Sequence, residues 1–436
     1  MVYVDPTIGL ERIFLKNKKK LFDQKKLTDE DTVLSRDIER LTGTVNDKIG
    51  KMNVIQKFQQ SLTKEYKRLK KEEINIELKS EMAIKGYFGD LIPYIKRDNE
   101  EQYYPTSGDG RRKILAYSLL NHVTKEFESN KIPIFLIEEP ENSLHRSMQI
   151  ALSKQLFKNE VYDYFFLSTH SSELLYEMDN AALIRIYNEN RVNCASHIYH
   201  VDEDYKKMKK ELNRSLATAL FANKVLLIEG PSERLLFEKV LEETHPNYEL
   251  DGGYILEVDG IKFKPYYEVL KALNIEVLVK TDNDLKGKSS KKTHFDLIGF
   301  NRCLDLLGRE KKEFVEINYS SKDQNGNTIW KESDKKRLMK EKKEMIFQSE
   351  SELIENFEKC GIYLSQIDLE HDLYEVLGER MIQILYNENP IHYLQKAKML
   401  HMILLTNELT FEDCYLILNH RLFKAVKGLV IYDDIN

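Results

Sequence analysis

The sequence is poor in cysteine and has no long apolar run. Its four cysteines are Cys194, Cys303, Cys360 and Cys414, and no two of them form a CxxC pair. This spacing argues against a zinc or disulfide framework, so we expect reduced thiols in the core. A membrane span needs about 20 consecutive apolar residues, and no stretch approaches that length. Because the first residues also lack the apolar segment of a signal peptide, we predict a cytoplasmic protein.

An excess of basic charge is missing as well. The chain of 436 residues has 66 Lys and Arg against 72 Asp and Glu, a formal net charge of -6. This balance excludes a uniformly cationic protein that binds polyanions over its whole surface. Any such binding must come from local basic patches.

The rhythm of apolar residues changes twice along the chain. Residues 1–100 keep apolar positions at three- and four-residue steps, which predicts helices in a hairpin or dimerisation region. From about residue 111, helical stretches alternate with strands such as "IPIFLIEEP" and "YDYFFLSTH", and a second alternation begins near "KVLLIEG". Such alternation predicts two α/β units with parallel sheets. Residues 286–345 are predicted to be basic and loop-like, and the remainder α-rich.

Carboxylates follow the predicted strands of the second unit. Glu229 ends one strand, with Glu233 a helical turn later, and Asp282 and Asp284 close another in "KTDND". A third acidic cluster, "IDLEHDL", contains Asp368, Glu370 and Asp372 and again alternates. The carboxyl ends of parallel strands meet at one sheet edge. Repulsion among so many carboxylates is costly unless a divalent cation neutralises it, and oxygen ligands suit Mg²⁺ or Mn²⁺. Each acid taken singly also suits a solvated loop or a helix N-cap.

The order of these acids resembles the Toprim fold of topoisomerases, primases and overcoming-lysogenization-defect (OLD) nucleases. The shared pattern is strand-Glu-Gly-x-x-Glu followed two strands later by "DND", and the later "IDLEHDL" and "HYLQKAK" resemble OLD-type nucleases. The resemblance implies two ions that activate a water and stabilise the leaving oxygen. It also implies that Lys398, with Lys396 its nearest competitor, meets the negative charge on the phosphate. The implied catalytic residues are Glu229, Asp282, Asp368 and Lys398, and the implied metal ligands or orienters are Glu229, Glu233, Asp282, Asp284, Asp368 and Glu370.

Two lysine-rich segments provide local basic patches, residues 286–292 and 335–343. Because the first directly follows the predicted metal-binding strand, we expect Lys286, Lys288, Lys291 and Lys292 to contact DNA phosphates. A solvated helix face is an equally good interpretation of 335–343.

The first α/β unit carries three motifs that resemble those of ABC-type ATPases. "IPIFLIEEPENSLH" matches a Walker B strand with Glu138 and Glu139, and "YFFLSTH" places His170 at the H-loop. "YYPTSGDGRRKIL" matches the signature motif, in which Ser107, Gly108 and Gly110 would face a nucleotide. The phosphate-binding motif GxxxxGK[ST] is absent from the sequence. We therefore expect this chain to lack the N-terminal half of the ATPase and not to hydrolyse ATP alone; ATP would be a regulatory ligand only if the missing Walker A region were supplied.

Together these motifs resemble the nuclease subunit of Gabija anti-phage systems, an OLD-family endonuclease. The implied fold class is α/β: an incomplete ABC/RecF-like ATPase domain with a helical dimerisation insert, followed by a Toprim domain with a parallel sheet. The implied domains are a helical dimerisation region (1–100), the C-terminal part of the ATPase (101–215) and the Toprim nuclease (216–436).

The implied function is Mg²⁺-dependent (or Mn²⁺-dependent) cutting of double-stranded DNA by a homo-oligomer, a dimer or tetramer, with a UvrD-like helicase subunit as partner. A catalytically inactive assembly or nucleotide-sensor module is the alternative. A primase-like polymerase is disfavoured, because the sequence has no zinc-binding cysteine set and "IDLEHDL" does not fit that class.

Overall fold

The structure is a computed structural model that describes residues 2–4, 13–17, 28–60, 95–96, 103–104, 109–127, 132–187, 193–258, 262–289, 291–322 and 328–430. The chain divides into two compact units, Met1–Leu174 and Leu175–Asn436. The helix Lys209–Ala219 runs through the boundary expected at residue 215, and the domain limits drawn from the sequence stay a prediction. The helices with defined bounds are α1 (Asp29–Gly50), α2 (Asp109–Phe127), α3 (Arg146–Lys158), α4 (Lys209–Ala219), α5 (Pro231–Thr244), α6 (Phe263–Ala272), α7 (Ile298–Leu306), α8 (Glu332–Ser349), α9 (Ser351–Lys359), α10 (Leu369–Leu377), α11 (Glu379–Leu385), α12 (Pro390–Lys396), α13 (Lys398–Glu408), α14 (Phe411–Asn419) and α15 (Lys424–Val430).

The strands are short, as is usual for small mixed domains. They are β1 (Val2–Val4), β2 (Ile95–Lys96), β3 (Tyr103–Tyr104), β4 (Phe135–Glu138), β5 (Phe165–Ser168), β6 (Ala181–Tyr187), β7 (Asn193–Tyr199), β8 (Lys224–Ile228), β9 (Gly253–Glu257), β10 (Glu276–Thr281), β11 (Leu285–Lys288), β12 (Lys291–Leu297), β13 (Phe314–Glu316), β14 (Ser320–Lys322), β15 (Thr328–Trp330) and β16 (Ile362–Leu364).

The first unit is built on a three-stranded parallel sheet of order β1-β4-β5. Its core includes Phe135 and Ile137 of β4 with Leu152 and Leu156 of α3. The predicted parallel sheet is therefore confirmed, with helices α2 and α3 where the sequence predicts them. The predicted helical character of residues 1–100 is seen in α1, which begins at a Thr28–Asp31 capping box and buries none of its residues. Much of the remainder, including 61–94, lies outside the described residues, and the dimerisation role stays a prediction.

The second unit is built on a four-stranded parallel sheet of order β16-β10-β8-β9. All five residues of β8 are buried, because helices cover both faces of a central parallel strand. Strands β8 and β10 pair with Leu227 opposite Val279, so Glu229 and Thr281 occupy equivalent positions just past the pairing. The main core lies between this sheet, α5 and the C-terminal helices, around Phe237, Leu373 and Phe423.

The prediction that residues 286–345 form loops is wrong. Strands β11, β12 and β13 form an antiparallel sheet. Helix α7 connects β12 to β13, and the β14–β15 hairpin and then α8 follow β13 along the chain. Phe295 and Leu297 are buried on one side of β12, whereas lysines occupy the exposed positions. The polar start of β12 therefore gives no strand signal, although its residues from His294 to Leu297 are buried or half-buried.

The cysteine prediction holds for only part of the set. Cys303 and Cys414 are free and buried, whereas Cys194 and Cys360 are free and exposed, so the last two are not core thiols. Among the described helices, none combines the length and the apolar character needed to cross a membrane.

Candidate functional site

Glu229 and Glu233 meet where β8 passes into α5. Helix α5 begins with Pro231 at its first position, and the N-cap residue Gly230 has an extended backbone. The carboxylate of Glu233 accepts hydrogen bonds from the backbone N–H of Glu229 (2.5 Å) and of Gly230 (3.2 Å). Burial, and then the charge of Glu229, raise the pKa of Glu233 to about 8. Glu233 thus caps the helix through one oxygen and sits in an environment that disfavours its charge.

Glu229 is held by three donors on a single oxygen. Its Oε1 accepts hydrogen bonds from Thr281 Oγ1 (2.6 Å), from the backbone N–H of Asp282 (3.0 Å) and from Arg302 Nη1, which also reaches Thr281. The pairing of β8 with β10 brings Glu229 beside Thr281, as the strand-end argument predicts. Sequence reasoning missed Arg302, since the stretch "GFNRCLDL" around it has no motif.

Asp282 is buried with an unsatisfied oxygen. The residue is only 7% exposed, and within the described part of the chain its Oδ1 has no hydrogen-bond partner. Burial, followed by the charges of Glu233 and Glu229, raises the pKa of Asp282 well above its ordinary value. The loop is fixed by its neighbour Asn283, whose amide donates to the carbonyls of Lys343 (3.3 Å) and Gln366 (3.1 Å).

The third acidic cluster is helical and does not alternate as a strand would. Asp368 is the N-cap of α10, and its Oδ1 accepts from the His371 backbone N–H (3.0 Å) and lies 2.5 Å from His371 Nδ1. Its Oδ2 accepts from Gln395 Nε2 (2.9 Å). Burial acts against ionisation, but the hydrogen bonds and charge of His371 outweigh it and lower the pKa of Asp368. Asp368 is therefore an ionised carboxylate whose two oxygens already have partners.

Glu370 and Lys398 form an ion pair at the edge of the same region. Lys398 Nζ lies 3.1 Å from Glu370 Oε1; the carboxylate is 2% exposed and the lysine side chain 51% exposed. Burial raises the pKa of Glu370, although Lys398 opposes the shift. Burial alone would lower the pKa of Lys398, but Glu370 and Asp282 raise it above its ordinary value. Lys398 is thus a charged amine, partly open to solvent, beside two carboxylates.

Asp284 and Asp372 each form an ion pair with a lysine. Asp284 is exposed and lies 3.4 Å from Lys343 Nζ, so it does not project together with buried Asp282 as an alternating strand would require. Strand β10 ends at Thr281, which explains the difference. Asp372 forms a buried ion pair with Lys280 at 2.6 Å, which ties β10 to α10.

The carboxylate oxygens of these residues are suitable ligands for a divalent ion. Within the described residues, no group of three or more His, Cys, Asp or Glu side chains has the spacing to hold an ion as the side chains stand. Two buried carboxylate oxygens, Asp282 Oδ1 and Glu370 Oε2, nevertheless have no hydrogen-bond partner in that part of the chain. All the candidate donors are carboxylate oxygens, the ligand type of Mg²⁺ and Mn²⁺. Buried acceptors without donors are costly, and a cation would satisfy them.

The predicted DNA-contacting lysines lie on the β11–β12 hairpin. Lys286 and Lys291 are exposed. Lys288 lies 3.1 Å from Asp296 and 4.9 Å from the ring centre of Phe314, whereas Lys292 lies 5.2 Å from that of Trp330. The hairpin follows the Asp282 loop directly. Its four lysines differ in whether a carboxylate or an aromatic ring already lies close to the amine.

The first unit brings together three of the predicted nucleotide-binding side chains. Glu138 is the last residue of β4, Glu139 comes directly after it, and His170 Nε2 lies 3.7 Å from Glu139 Oε1. Glu141, which sequence reasoning passed over, accepts from Thr169 Oγ1 (2.7 Å) and from the His170 backbone N–H (2.6 Å), and so joins the two loops. A β-carbon at Gly110 would lie 2.9 Å from the Ser143 carbonyl, so α2 packs closely on the turn after β4. Ser107 and Gly108 lie outside the described residues.

Two family models match the chain, each largely within one of the two compact units. Residues 9–175 match the family model "AAA ATPase domain", and residues 220–284 match "Overcoming lysogenization defect protein-like, TOPRIM domain". The second match includes Glu229, Glu233, Asp282 and Asp284. The C-terminal region of the OLD protein from Xanthomonas campestris pv. campestris is 17% identical, with a TM-score of 0.29, over 48% of this chain and 92% of that one.

Two curated relatives carry the same name. Endonuclease GajA of Bacillus cereus (strain VD045) is 52% identical over 430 residues, which are 99% of this chain and 73% of the relative. Endonuclease GajA of Bacillus cereus (strain HuB5-5) is 23% identical over 277 residues, 55% of this chain and 39% of that protein. The chain therefore belongs to the GajA endonuclease family, with an AAA ATPase domain followed by an OLD-like Toprim domain.

Proposed function

We propose that this chain is a metal-dependent DNA endonuclease of a Gabija-type anti-phage defence system, and that its Toprim domain cuts phosphodiester bonds with two Mg²⁺ or Mn²⁺ ions. The observation that carries the proposal is that two buried carboxylate oxygens, Asp282 Oδ1 and Glu370 Oε2, have no hydrogen-bond partner among the described residues. Membership in an endonuclease family supports DNA as the substrate. The domain limits inferred from the sequence are part of the same proposal.

The residues with oxygens available to hold the ions are Glu229, Asp282 and Glu370. Glu233, Asp284 and Asp368 are further ligands in the proposal, although each must first give up or share the contact described above. When bound, two divalent ions activate a water and stabilise the leaving oxygen of the phosphodiester.

The protein's own groups bind and orient the DNA. Lys398 keeps its charge, and its partly exposed amine, paired on one side with Glu370, is accessible to a phosphate oxygen on which negative charge develops. Lys286, Lys288, Lys291 and Lys292 provide phosphate contacts on the adjoining hairpin. Asp368 takes part through its fixed, ionised carboxylate, which helps to keep Lys398 charged.

The first unit is proposed to regulate the nuclease through a nucleotide that Glu138, Glu139, His170, Ser107, Gly108 and Gly110 help to bind, provided that a phosphate-binding loop is supplied. A homo-oligomer and a UvrD-like helicase subunit complete the proposal, on the resemblance to Gabija systems.

A plasmid-nicking assay tests the proposed activity. The wild-type protein is expected to nick plasmid DNA with Mg²⁺ or Mn²⁺ and to stop when EDTA is added. Glu229→Ala and Asp282→Ala are expected to abolish nicking while circular dichroism and the melting temperature show a folded protein. Undiminished nicking by both variants would contradict the site. If the wild-type protein bound the metal but never cut DNA, an inactive assembly or sensor module would be favoured instead.

A further inference from the structure

The anchoring of Glu229 is asymmetric between its two oxygens. Oε1 accepts from Thr281 Oγ1, from the Asp282 backbone N–H and from Arg302. Among the described residues, no hydrogen bond reaches Oε2, and the side chain is 28% exposed. Oε1 is therefore engaged by protein donors, whereas Oε2 is left without one in the part of the chain that the structure describes.

Arg302 reaches Glu229 because helix α7 is docked against the loop that carries Asp282. A β-carbon on Gly299 would lie 1.9 Å from the Asp282 carbonyl oxygen and 2.8 Å from the Asp284 nitrogen, so only glycine permits this approach. The Gly299 backbone N–H also donates to the Asp284 carbonyl (3.2 Å). Arg302 lies three residues further along, on the same side of α7 as Gly299. The contact between α7 and the Asp282 loop thus fixes the position of Arg302.

The guanidinium of Arg302 is held on its other side as well. Its central carbon lies 5.1 Å from the ring centre of Phe263, which is buried, and the arginine side chain is 24% exposed. Arginine keeps its charge at all physiological pH values and presents its donors in a rigid plane. The group can therefore span Glu229 and Thr281 at once, as the contacts show.

We propose that Arg302 is a positioning residue of the metal site, which holds Oε1 of Glu229 so that Oε2 is presented to the ion. This inference rests on the proposed metal-dependent function. Groups that orient a metal ligand through its second donor atom commonly change metal affinity by about 10- to 100-fold when they are removed. Arg302 also offsets part of the repulsion between Glu229 and its acidic neighbours before an ion binds.

The test is Mn²⁺ binding in the absence of DNA, measured on the full chain from the electron paramagnetic resonance signal of free Mn²⁺. Arg302→Met keeps much of the side-chain volume but removes the charge and the donors. It is expected to raise the Kd for Mn²⁺ by about 10- to 100-fold. Arg302→Lys keeps the charge but lacks the planar arrangement of donors. Its Kd for Mn²⁺ is expected to lie between those of the wild type and Arg302→Met. Arg309→Met, at an exposed position just beyond α7, is the matched control and is expected to bind as the wild type does.

A second readout separates positioning from direct chemistry. Arg302→Met is expected to raise the Mg²⁺ concentration for half-maximal nicking, while the plateau rate at saturating Mg²⁺ stays within a few-fold of the wild type. Unchanged Mn²⁺ affinity in Arg302→Met would overturn the inference. Tighter binding would also overturn it, because Arg302 would then compete with the ion for Glu229. If Arg302→Met fails to fold, Arg302→Lys decides, and wild-type affinity in that variant overturns the inference.

Glu229→Gln distinguishes failure of the inference from failure of the proposed function. If Glu229→Gln loses Mn²⁺ binding while Arg302→Met does not, only the role of Arg302 is wrong. If Glu229→Gln binds Mn²⁺ as tightly as the wild type, the metal site itself is wrong.

Discussion

The amine of Lys398 lies 3.1 Å from Glu370 Oε1, while the other oxygen of that buried carboxylate has no hydrogen-bond partner within the described chain. One oxygen thus meets a protein cation and the other is unsatisfied. The same division is found at Glu229, where every hydrogen bond donated by the described residues goes to Oε1. At both positions the protein fixes one oxygen and leaves one available, which is the arrangement expected of carboxylates that bind a cation through a single oxygen.

Replacing Lys398 is expected to slow DNA cleavage strongly. Lys398→Ala removes the charge that would face the developing negative charge on the phosphate, and loss of one such contact typically costs about 10²- to 10³-fold in rate. Lys396→Ala, at an exposed position on α12, is the matched control and is expected to stay within a few-fold of the wild type. The measurement is the single-turnover nicking rate at saturating Mg²⁺. Equal rates for the two variants would show that Lys398 has no special role.

Glu233 is expected to make the metal-free protein less stable as the pH rises. Its pKa in the folded protein, about 8, exceeds the value of 4.5 for an unperturbed Glu, so the folded state holds more protons between these values. The contribution of Glu233 to the free energy of unfolding is therefore present at pH 5 and is lost as the pH rises towards 8. The free energy of unfolding then falls with a limiting slope of about 1.4 kcal/mol per pH unit for one proton. Glu233→Gln keeps an acceptor for the helix N-terminus but cannot titrate.

The measurement for Glu233 is the free energy of unfolding in EDTA at several pH values from 5 to 8. The wild type is expected to lose stability across this range more steeply than Glu233→Gln. Parallel pH profiles for the two proteins would show that the burial of Glu233 does not shift its protonation.

Gly299→Ala is expected to destabilise the second unit. The added β-carbon would lie 1.9 Å from the Asp282 carbonyl oxygen, so α7 or the Asp282 loop must shift. Overpacking of this kind commonly costs about 1–3 kcal/mol. Gly43→Ala in α1 is the control, because a β-carbon there meets nothing within 4 Å, and alanine favours a helix. Thermal unfolding should show a lower Tm for Gly299→Ala alone, and an unchanged Tm would contradict the close packing.

The four hairpin lysines are expected to differ in their contribution to DNA binding. Lys286→Ala and Lys291→Ala should each weaken binding and reduce the slope of log K against log salt by about 1, because each exposed amine is available to neutralise one phosphate. Lys288→Ala should have a smaller effect, since Asp296 already lies 3.1 Å from that amine. Salt titrations with a non-cleavable duplex measure the slopes. Equal slopes for Lys286→Ala and the wild type would remove the hairpin from the DNA-binding surface.

The parallel sheet and the proximity of Glu229 to the Asp282 loop could be predicted from the sequence. Strands β8 and β10 each contain a short apolar run, VLLI and VLV, and parallel strands bring their carboxyl ends to one edge. Periodicity failed where polar residues determine the local structure. "IDLEHDL" alternates in polarity, yet the Asp368 side chain caps a helix, so Glu370 and Asp372 follow helical geometry and face different partners.

Other parts of the site had no signal in the sequence. Lys280 lies inside a strand and is buried against Asp372, a pairing between residues 92 positions apart that local pattern cannot reveal. Arg302 depends on the close approach of Gly299 to the Asp282 loop, which is a tertiary contact. The family resemblance identified acids by their motifs, but it could not show which of their oxygens the protein already occupies.

The most direct test is the anomalous difference density of crystals soaked in Mn²⁺. The account predicts a peak within coordination distance, about 2.0–2.6 Å, of carboxylate oxygens of Asp282 and of Glu229 or Glu370, and no peak there in Asp282→Asn crystals soaked in the same way. Wild-type crystals with fully ordered carboxylates and no peak among them would contradict the proposed metal site.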